Sequence, residues 1–180
     1  MNGRELSIAI LTCSDRCFAG KAINTGGLAV AAAAVRILAG RVVAEGCVPD
    51  DKAAIVKQLR QWTCPESAVV PDIIFTTGGT GLALRDVTPE ATLAVLDRRC
   101  AGIMEIARMR CMGNNPRACL SRGEAGTVGR QLIINLPGSP RGAVEVLEAL
   151  ADILPHALGV LHGQDNHSDN RPAPPPAELK

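Results

Sequence analysis

The sequence predicts an α/β fold: a three-layer αβα sandwich with a mostly parallel central sheet. Short apolar runs rich in β-branched residues alternate along the chain with longer segments whose apolar residues recur at helical spacing. The resulting order, β-α-β-α-β-α-α-β-α-α, is typical of a parallel sheet with helices on both faces. Polar clusters follow all four predicted strands. Since ligands bind beyond the carboxyl ends of such strands, we expect these clusters to meet at one edge of the sheet.

The first strand is predicted at Leu6–Thr12, a buried apolar run that ends at the polar pair Ser14–Asp15. A glycine-containing loop follows and continues to about Gly27. The alanine-rich segment Leu28–Leu38 then favours a helix, and Gly40 after it is typical of a helix end.

A second strand is predicted at Arg41–Cys47, followed by a turn at Val48–Asp51. The segment after the turn favours a helix, because Ile55, Leu59 and Trp62 are spaced i, i+4 and i+7 and so share one face. These elements give the chain a second β-α unit.

The third predicted strand, Asp72–Thr76, leads into the most informative stretch of the chain. Its loop has three glycines in four residues, which lets backbone N–H groups approach a ligand; it comprises Thr77, Gly78, Gly79, Thr80 and Gly81. Asp86 follows, and Thr88 is expected as the N-cap of a helix with Pro89 at its first position. Together these features favour a site for a phosphorylated ligand. The loop matches neither the P-loop nor the dinucleotide-binding pattern, so a tight turn is the alternative.

Helices are predicted next at Thr88–Asp97 and around Gly102–Met112. The segment Asn114–Gly129 is polar and glycine-rich, and no element is assigned to it. A fourth strand is predicted at Gln131–Leu136.

The dipeptide Pro137–Gly138 ends this strand. Ser139 is then expected as an N-cap with Pro140 at the first helical position. This helix is predicted to run to about Ala151, and a further helix to about Leu161.

The predicted elements form one domain over residues 1–163. Residues 164–180 are polar and contain four of the twelve prolines. Such a composition does not bury enough apolar surface to fold, so this tail is predicted to be disordered.

The composition excludes two classes of partner. The net charge is +1 and only 2% of residues are aromatic, so the chain lacks the basic field and the stacking rings of nucleic-acid-binding proteins. The longest apolar run, residues 28–35, is too short to span a bilayer, and residues 1–14 lead into a charged segment rather than a signal-peptide cleavage site. We therefore expect a cytoplasmic protein that binds neither nucleic acid nor a membrane.

The seven cysteines and three histidines give no sign of a metal centre. An odd count with no secretory segment favours reduced thiols, which are expected to be buried and inert. Cys13 and Cys17 with His156 and His162 match zinc spacings only pair by pair, so a structural zinc is not expected. The histidines, His167 included, have no acid or nucleophile at a meaningful spacing and are expected as surface or packing residues.

Each candidate acid has a purely structural alternative. Asp86 could be a turn or capping carboxylate paired with Arg85, or a magnesium ligand beside a phosphate. Asp50 has the same two interpretations: either Asp50 or Asp51 could cap the helix that starts near Lys52, or Asp50 could bind a metal. Ser139 could be only a helix cap, and Ser14–Asp15 only a strand-to-loop turn.

Two long motifs occur in this order: Thr-Gly-Gly-Thr-Gly with Arg-Asp-Val-Thr-Pro-Glu-Ala at residues 77–91, and Asn-Leu-Pro-Gly-Ser-Pro at residues 135–140. Shorter motifs lie at residues 14–16, 48–50, 102–105, 120–122 and 156–158. With these motifs the chain resembles the molybdopterin-binding proteins of molybdenum-cofactor biosynthesis. The resemblance covers about residues 5–163, nearly everything except the tail.

Within this family the chain is most similar to a stand-alone molybdopterin adenylyltransferase. The resemblance implies transfer of AMP from ATP to the terminal phosphate of molybdopterin with release of pyrophosphate. It implies Mg²⁺ as the cofactor, with Asp50 and Asp86 as the essential acids and the metal ligands. Substrate-binding residues are implied at Thr77–Gly81, at Pro137–Ser139 and at Ser14–Asp15. A homotrimer and a transient contact with a molybdenum-insertion protein are also implied.

Two positions depart from the family pattern. Residues 24–27 are Asn-Thr-Gly-Gly where many relatives have Asp-x-Ser-Gly, so an acid and a hydroxyl are missing from that loop. Arg141 stands where relatives often have lysine, which keeps the charge with a different geometry.

Two other functions are compatible with the sequence. One is a non-catalytic molybdopterin-binding or carrier protein of the same pathway, and the presence of both Asp50 and Asp86 argues against it. The other is a nucleotide pyrophosphatase resembling the competence-damage family, which shares part of this fold. The prediction of a single domain argues against that function.

Overall fold

A computed structural model describes residues 5–163, in which six strands form one sheet. The sheet order is β2-β1-β3-β6-β5-β4, with bounds β1 Ser7–Cys13, β2 Arg41–Val48, β3 Ile73–Thr77, β4 Arg98–Arg99, β5 Ala125–Val128 and β6 Gln131–Leu136. The first four strands in this order run parallel to one another. Strand β5 pairs antiparallel with β6, and β4 pairs antiparallel with β5. The prediction of a mostly parallel sheet is therefore confirmed.

Seven α-helices connect and cover the strands of the described chain. Their bounds are α1 Asp15–Phe18, α2 Thr25–Leu38, α3 Lys52–Thr63, α4 Thr88–Leu93, α5 Ala101–Cys111, α6 Pro140–Ala149 and α7 Leu154–Leu161. A short 3₁₀ helix, Pro116–Leu120, lies between α5 and β5. Helices α2, α5, α6 and α7 pack on one face of the sheet, and α3 and α4 pack on the other.

Strand β1 shows why the sheet has two cores. Ile8 and Ile10 pack in the larger core, whereas Ala9 and Leu11 pack in the smaller one. Successive side chains of a strand point to opposite faces, and every residue of β1 is buried, so both faces are covered. This confirms the three-layer αβα sandwich.

Helix α3 follows the predicted pattern closely. Its buried residues are Ile55, Leu59 and Trp62, the three that the apolar spacing places on one face. The Asp51 carboxylate caps the helix by accepting a hydrogen bond from the Ala54 N–H at 2.8 Å. The cap is therefore Asp51, which leaves Asp50 with a different role.

Helix α2 begins earlier and ends differently than predicted. Asn24 accepts a hydrogen bond from the Gly27 N–H at 2.9 Å, so this N-cap starts the helix at Thr25. The left-handed residue at its end is Ala39, with φ 49°, rather than Gly40. A Cβ on Gly40 would lie 2.5 Å from the carbonyl oxygen of Leu6, so this glycine permits close packing instead.

The predicted N-cap of α4 is wrong. Val87 occupies that position without a side-chain cap, and Thr88 is the first helical residue, fully buried. The Thr88 N–H donates to the Gly79 carbonyl at 3.1 Å, because the loop folds back over the helix start. The helix ends at Leu93 rather than Asp97, since the chain then turns into β4.

Four short elements were not predicted: α1, β4, the 3₁₀ helix and β5. Strand β4 consists of two exposed arginines, Arg98 and Arg99, which pair with Thr127 and Gly126 of β5. A charged dipeptide has no strand periodicity, so only its pairing with β5 makes it a strand.

None of the helices within residues 5–163 combines the length and the apolar character needed to cross a bilayer. The predicted disordered tail, residues 164–180, lies outside the described residues, as does His167.

Candidate active site

The carboxyl ends of β2, β1, β3 and β6 lie side by side, because these parallel strands are neighbours in the sheet. The residues after each strand are thereby brought to one edge: Asp50 after β2, Ser14–Asp15 after β1, the glycine loop Thr77–Gly81 after β3, and Pro137–Ser139 after β6. The predicted convergence of the polar clusters is confirmed.

Asp15 and Asp50 join the ends of β1 and β2. The Asp15 N–H donates to Asp50 Oδ2 at 2.9 Å, and the Asp50 N–H donates to Asp15 Oδ1 at 3.0 Å. Ser14 adds to this junction, since its N–H donates to the Val48 carbonyl at 2.9 Å and its hydroxyl accepts from the Cys17 N–H at 3.3 Å. Ser14 is thus the N-cap of α1.

Arg85 pairs with Asp15 and not with Asp86. Its guanidinium donates to Asp15 Oδ2 at 2.6 Å. This hydrogen bond is the main reason that the pKa of Asp15 lies below its ordinary value; desolvation opposes the shift, and the Asp50 N–H adds to it. Asp15 is therefore a carboxylate at neutral pH.

The glycine loop packs backbone against backbone with the chain after β6. The Thr77 hydroxyl donates to the Pro137 carbonyl at 2.8 Å, and the Gly78 N–H donates to the Leu136 carbonyl at 3.3 Å. Gly78 has φ 103°, and a Cβ there would overlap the carbonyl oxygen of Cys13. This position therefore requires glycine.

Asp50 and Asp86 lie against opposite ends of one short segment. A Cβ on Gly79 would be 3.4 Å from Asp50 Oδ1, and a Cβ on Gly81 would be 2.8 Å from Asp86 Oδ2. Two residues span at most about 7 Å, so the two carboxylates flank a narrow stretch of backbone. Asp86 is oriented by the Ala83 N–H, which donates to its Oδ2 at 2.9 Å.

These two acids fit a magnesium ion in their chemistry. Carboxylate oxygens are ligands that Mg²⁺ prefers, and in each acid only Oδ2 accepts a hydrogen bond within residues 5–163, which leaves Oδ1 for a metal. The described chain has no group of three or more His, Cys, Asp or Glu suited to a metal. Phosphate oxygens and water would therefore complete the coordination, as is usual for Mg²⁺.

A cavity of about 380 Å³ opens beside the glycine loop. One wall is Gly79–Gly81 with Asp86, and a second is Pro137–Ser139. The remaining walls come from α5, the 3₁₀ helix and the start of α6, which contribute apolar and polar side chains, among them Met104, Arg108, Asn115, Arg117, Ser121 and Glu145. An apolar cavity with a few polar groups is typical of a small-molecule site.

A smaller cavity, about 130 Å³, lies on the other side of the loop. It is lined by Ser14, Asn24, Thr77, Gly78 and Gly138, among others. Of the predicted site residues that do not line the main cavity, Ser14, Thr77 and Gly78 line this smaller one. The other two, Asp15 and Asp50, form the junction described above.

Ser139 has the predicted structural role. Its hydroxyl accepts a hydrogen bond from the Gly142 N–H at 3.3 Å, and Pro140 is the first residue of α6. The N-terminus of this ten-residue helix is therefore directed toward the main cavity, which Ser139 and Gly142 line.

The chain matches the family described as "Probable molybdopterin binding domain" over residues 9–156. It belongs to this family. The family assignment that the motifs of the glycine loop and of residues 135–140 imply is therefore confirmed.

Three relatives illustrate the range of the molybdopterin-binding family. Molybdenum cofactor synthesis protein cinnamon of Drosophila melanogaster is 36% identical over 157 residues, which are 87% of this chain but only 26% of that protein. The molybdopterin adenylyltransferase of Helicobacter pylori strain J99 is 34% identical over 160 residues, 89% of this chain and 90% of that protein. The crystal structure of the molybdopterin biosynthesis enzyme MoaB from Thermus thermophilus has a TM-score of 0.78 and 47% identity, covering 88% of this chain and 97% of that one.

The departure from the family pattern at residues 24–27 leaves the local structure intact. Asn24 Oδ1 accepts from both the Gly27 N–H at 2.9 Å and the Thr12 hydroxyl at 3.0 Å. A carboxylate oxygen would accept the same two bonds, so the amide replaces it without loss of the helix cap. Glycine suits position 27, because a Cβ added there would lie only 2.5 Å from the Asn24 amide nitrogen.

The far wall of the main cavity was missed by sequence reasoning. Arg108 of α5 donates to the carbonyls of Ser121 and Gly123 at 3.2 and 3.1 Å, and so fixes the chain between the 3₁₀ helix and β5. Arg117 and Asn115 lie in the segment to which no element was assigned. The only signal there was the family motif at residues 120–122, which gave no role to its members.

Arg122, in that same motif, connects the far wall of the main cavity to the glycine loop by hydrogen bonds. Its N–H donates to the Thr80 carbonyl at 2.9 Å, and its Nε donates to the Gly81 carbonyl at 2.7 Å. Its two terminal nitrogens donate to the Asp86 carbonyl and to the Glu90 carboxylate. Burial raises the pKa of Glu90, but the Arg122 hydrogen bond and its own backbone outweigh this and keep that pKa below its ordinary value.

The described histidines lie outside this site, whereas Cys111 lines the main cavity and Cys13 and Cys17 line the smaller one. His156 is exposed, and His162 Nε2 lies 3.2 Å from Asp72 Oδ1 at the opposite edge of the sheet. All seven cysteines are free, as predicted, but only Cys13 and Cys111 are buried, and Cys119 is exposed. The prediction that the thiols are buried is thus wrong for the other five.

Proposed function

We propose that this protein is a molybdopterin adenylyltransferase that uses Mg²⁺. The observation that carries the proposal is the position of Asp50 and Asp86 at the two ends of Gly79–Gly81, beside a cavity of about 380 Å³. The Helicobacter pylori relative with this name supports it, since the match covers 90% of that protein.

In the proposed reaction an oxygen of the terminal phosphate of molybdopterin attacks the α-phosphorus of ATP. A new P–O bond forms while the bond from that phosphorus to the α–β bridging oxygen breaks, and pyrophosphate leaves with the electron pair. A phosphate monoester is already ionised near neutral pH, so no general base is required. The protein therefore needs to position the reactants and stabilise charge.

The chain can stabilise two polyanions although its net charge is only +1. Backbone N–H groups of the glycine loop and the N-terminus of α6 present partial positive charge at the cavity. Arg108 and Arg117 add full charges on the opposite wall. Such fixed dipoles act at short range and need no basic surface.

Asp50 and Asp86 are the residues that would hold the magnesium ion. When bound, the ion would supply charge neutralisation for the substrate phosphates. The contribution of the chain is to hold both carboxylates in place: the Asp15 N–H fixes Asp50, and the Ala83 N–H fixes Asp86.

The decisive experiment measures pyrophosphate release by the purified protein with molybdopterin, ATP and Mg²⁺. We expect release that depends on all three, and loss of it in Asp86→Asn with molybdopterin binding retained. Asp97→Asn is the control, because Asp97 is an exposed acid whose carboxylate accepts from the Gly129 N–H at 2.8 Å and an amide oxygen can do the same. Wild-type activity of the Asp86→Asn variant would contradict the proposed mechanism.

The same assay separates the two alternative functions. A carrier would bind molybdopterin without releasing pyrophosphate and, by calorimetry, would show no magnesium-dependent ATP binding. A pyrophosphatase would hydrolyse nucleotides in the absence of molybdopterin.

We further propose the features that the family resemblance implies beyond the reaction itself. These are a homotrimer, a cytoplasmic location and a transient contact with a molybdenum-insertion protein. Sedimentation analysis of the full chain would test the oligomer.

A further inference from the structure

We propose that Arg122 is a positioning residue that sets the Asp86 carboxylate by closing the turn from Gly81 to Asp86. The inference rests on the proposed function for its effect on turnover, but the clamp itself is a structural claim. Arg122 is not among the residues that line the main cavity, so it acts through the turn rather than on a substrate.

The contacts of Arg122 define the clamp. Its side chain binds the carbonyl of Gly81, the first residue of the turn, and the carbonyl of Asp86, the last one. Its own N–H binds the carbonyl of Thr80, one residue before the turn. One residue therefore binds three carbonyls that bracket the turn. The two carbonyls bound by its side chain belong to residues 41 and 36 positions earlier in the chain.

The turn has no hydrophobic anchor of its own. Leu82 and Leu84, its two large apolar residues, are 67% and 101% exposed. Inside the turn the Asp86 N–H donates to the Ala83 carbonyl, and the Ala83 N–H donates to the Asp86 carboxylate, both at 2.9 Å. Exposed loops with few buried contacts open easily, so the guanidinium contributes much of the order here.

Glu90 fixes the guanidinium to helix α4. Its carboxylate accepts from a terminal nitrogen of Arg122 that the two carbonyls do not use. Arginine suits this position because its rigid, planar fork presents several N–H groups in fixed directions, whereas lysine has a single charged nitrogen. Lysine at position 122 would therefore keep the charge and lose the bridge between the two carbonyls.

The test compares Arg122→Gln and Arg122→Lys with the control Glu90→Gln. The glutamine at position 90 keeps an oxygen that can accept from Arg122, so the control removes the ion pair and leaves the clamp. If Arg122→Gln does not fold, Arg122→Lys alone provides the comparison with the control. The first readout is amide hydrogen exchange over residues 81–86 of the whole protein without ligands.

We expect exchange of the Ala83 and Asp86 amides to be about tenfold faster in both Arg122 variants and within about twofold of wild type in the control. The second readout is pyrophosphate release at saturating ATP. There we expect kcat to fall by about 10²-fold and the Mg²⁺ concentration for half-maximal rate to rise, with molybdopterin affinity unchanged.

Unchanged exchange in both Arg122 variants overturns the clamp. A fall in kcat without faster exchange also overturns it, because Arg122 would then act on a ligand directly. If wild-type protein releases no pyrophosphate, the proposed function fails, and the exchange measurement alone decides whether Arg122 orders the turn.

Discussion

Asp15 and Asp50 hold each other by two reciprocal hydrogen bonds, each carboxylate accepting the backbone N–H of the other residue, at 2.9 and 3.0 Å. The pair locks the residue after β1 to the residue after β2. Because Arg85 also binds Asp15, the junction extends to the turn that contains Asp86. The two proposed metal ligands are thus linked through Asp15 and Arg85.

Two substitutions at this junction should distinguish the effect of the Asp50 charge from the effect of the contacts that position Asp50. Asp50→Asn keeps an oxygen that can accept from the Asp15 N–H but removes the negative charge, so we expect kcat for pyrophosphate release to fall by about 10²- to 10³-fold. Asp15→Ala leaves the Asp50 charge and the Asp15 N–H that binds it, but removes the carboxylate that accepts from the Asp50 N–H and from Arg85, and we expect a loss of about tenfold. Steady-state kinetics would check both. Equal activity of Asp50→Asn and wild type would contradict the assignment.

Gly78→Ala should destabilise the protein by at least about 3 kcal/mol, because φ 103° is strained for alanine and the new Cβ would meet the Cys13 carbonyl. Gly129→Ala is the matched control: its φ is 54° and no atom lies within 4 Å of the added Cβ. We expect about 1 kcal/mol there. Urea denaturation measures both losses, and equal losses would show that the contact with Cys13 costs nothing.

Asn135→Ala should cost about 3 kcal/mol of unfolding free energy. This buried amide donates to the hydroxyls of Thr76 and Thr92 at 2.9 and 2.8 Å and accepts from the Glu124 N–H at 3.1 Å. Alanine would leave these buried partners unpaired. The exposed Asn114→Ala should change stability by less than about 0.5 kcal/mol. Thermal and urea unfolding of the two variants would show whether this difference exists.

Cys13 and Cys119 should differ sharply in thiol reactivity. Burial, opposed by a contact with Thr88, raises the pKa of Cys13 to about 12, whereas Cys119 is exposed. We expect maleimide at about pH 8 to modify Cys119 readily and Cys13 only after unfolding. Peptide mass spectrometry would identify the modified thiols, with Cys119→Ser as the control.

The same pKa has a consequence for stability. The unfolded chain ionises Cys13 near its ordinary value of 9.0, while the folded chain keeps it neutral. The contribution of Cys13 to folding is therefore complete below about pH 9 and is lost as the pH rises toward 12. Cys13→Ala should remove this part of the alkaline destabilisation, which urea midpoints measured across that range would reveal.

The elements with clear periodicity were predicted well. Strand β6 has the predicted bounds, Gln131–Leu136, and the stripe Ile55, Leu59 and Trp62 is buried as expected. In both cases burial follows directly from the spacing of apolar residues. The meeting of Asp15, Asp50 and the glycine loop at one edge follows in turn from the parallel order of the strands.

The remaining elements depend on contacts between distant residues. Strand β5 has only four residues and contains a glycine, and it is a strand because Ala125 pairs with Ile134 of β6. The bonds from Arg122 to Gly81 and Glu90 join residues 41 and 32 positions apart, and no local pattern records them. Sequence reasoning therefore predicted the acids that meet at this edge of the sheet and missed the arginines that arrange the walls of the main cavity.

The two arginines of β4 have a consequence for how this protein behaves at high concentration. They form the last strand on one side of the sheet, and both are exposed. A second molecule that extended the sheet there would meet only two residues of backbone and two charged side chains, of which Arg99 is paired with Glu124. Such short, charged borders discourage edge-to-edge aggregation, so this border should resist the growth of intermolecular β-structure.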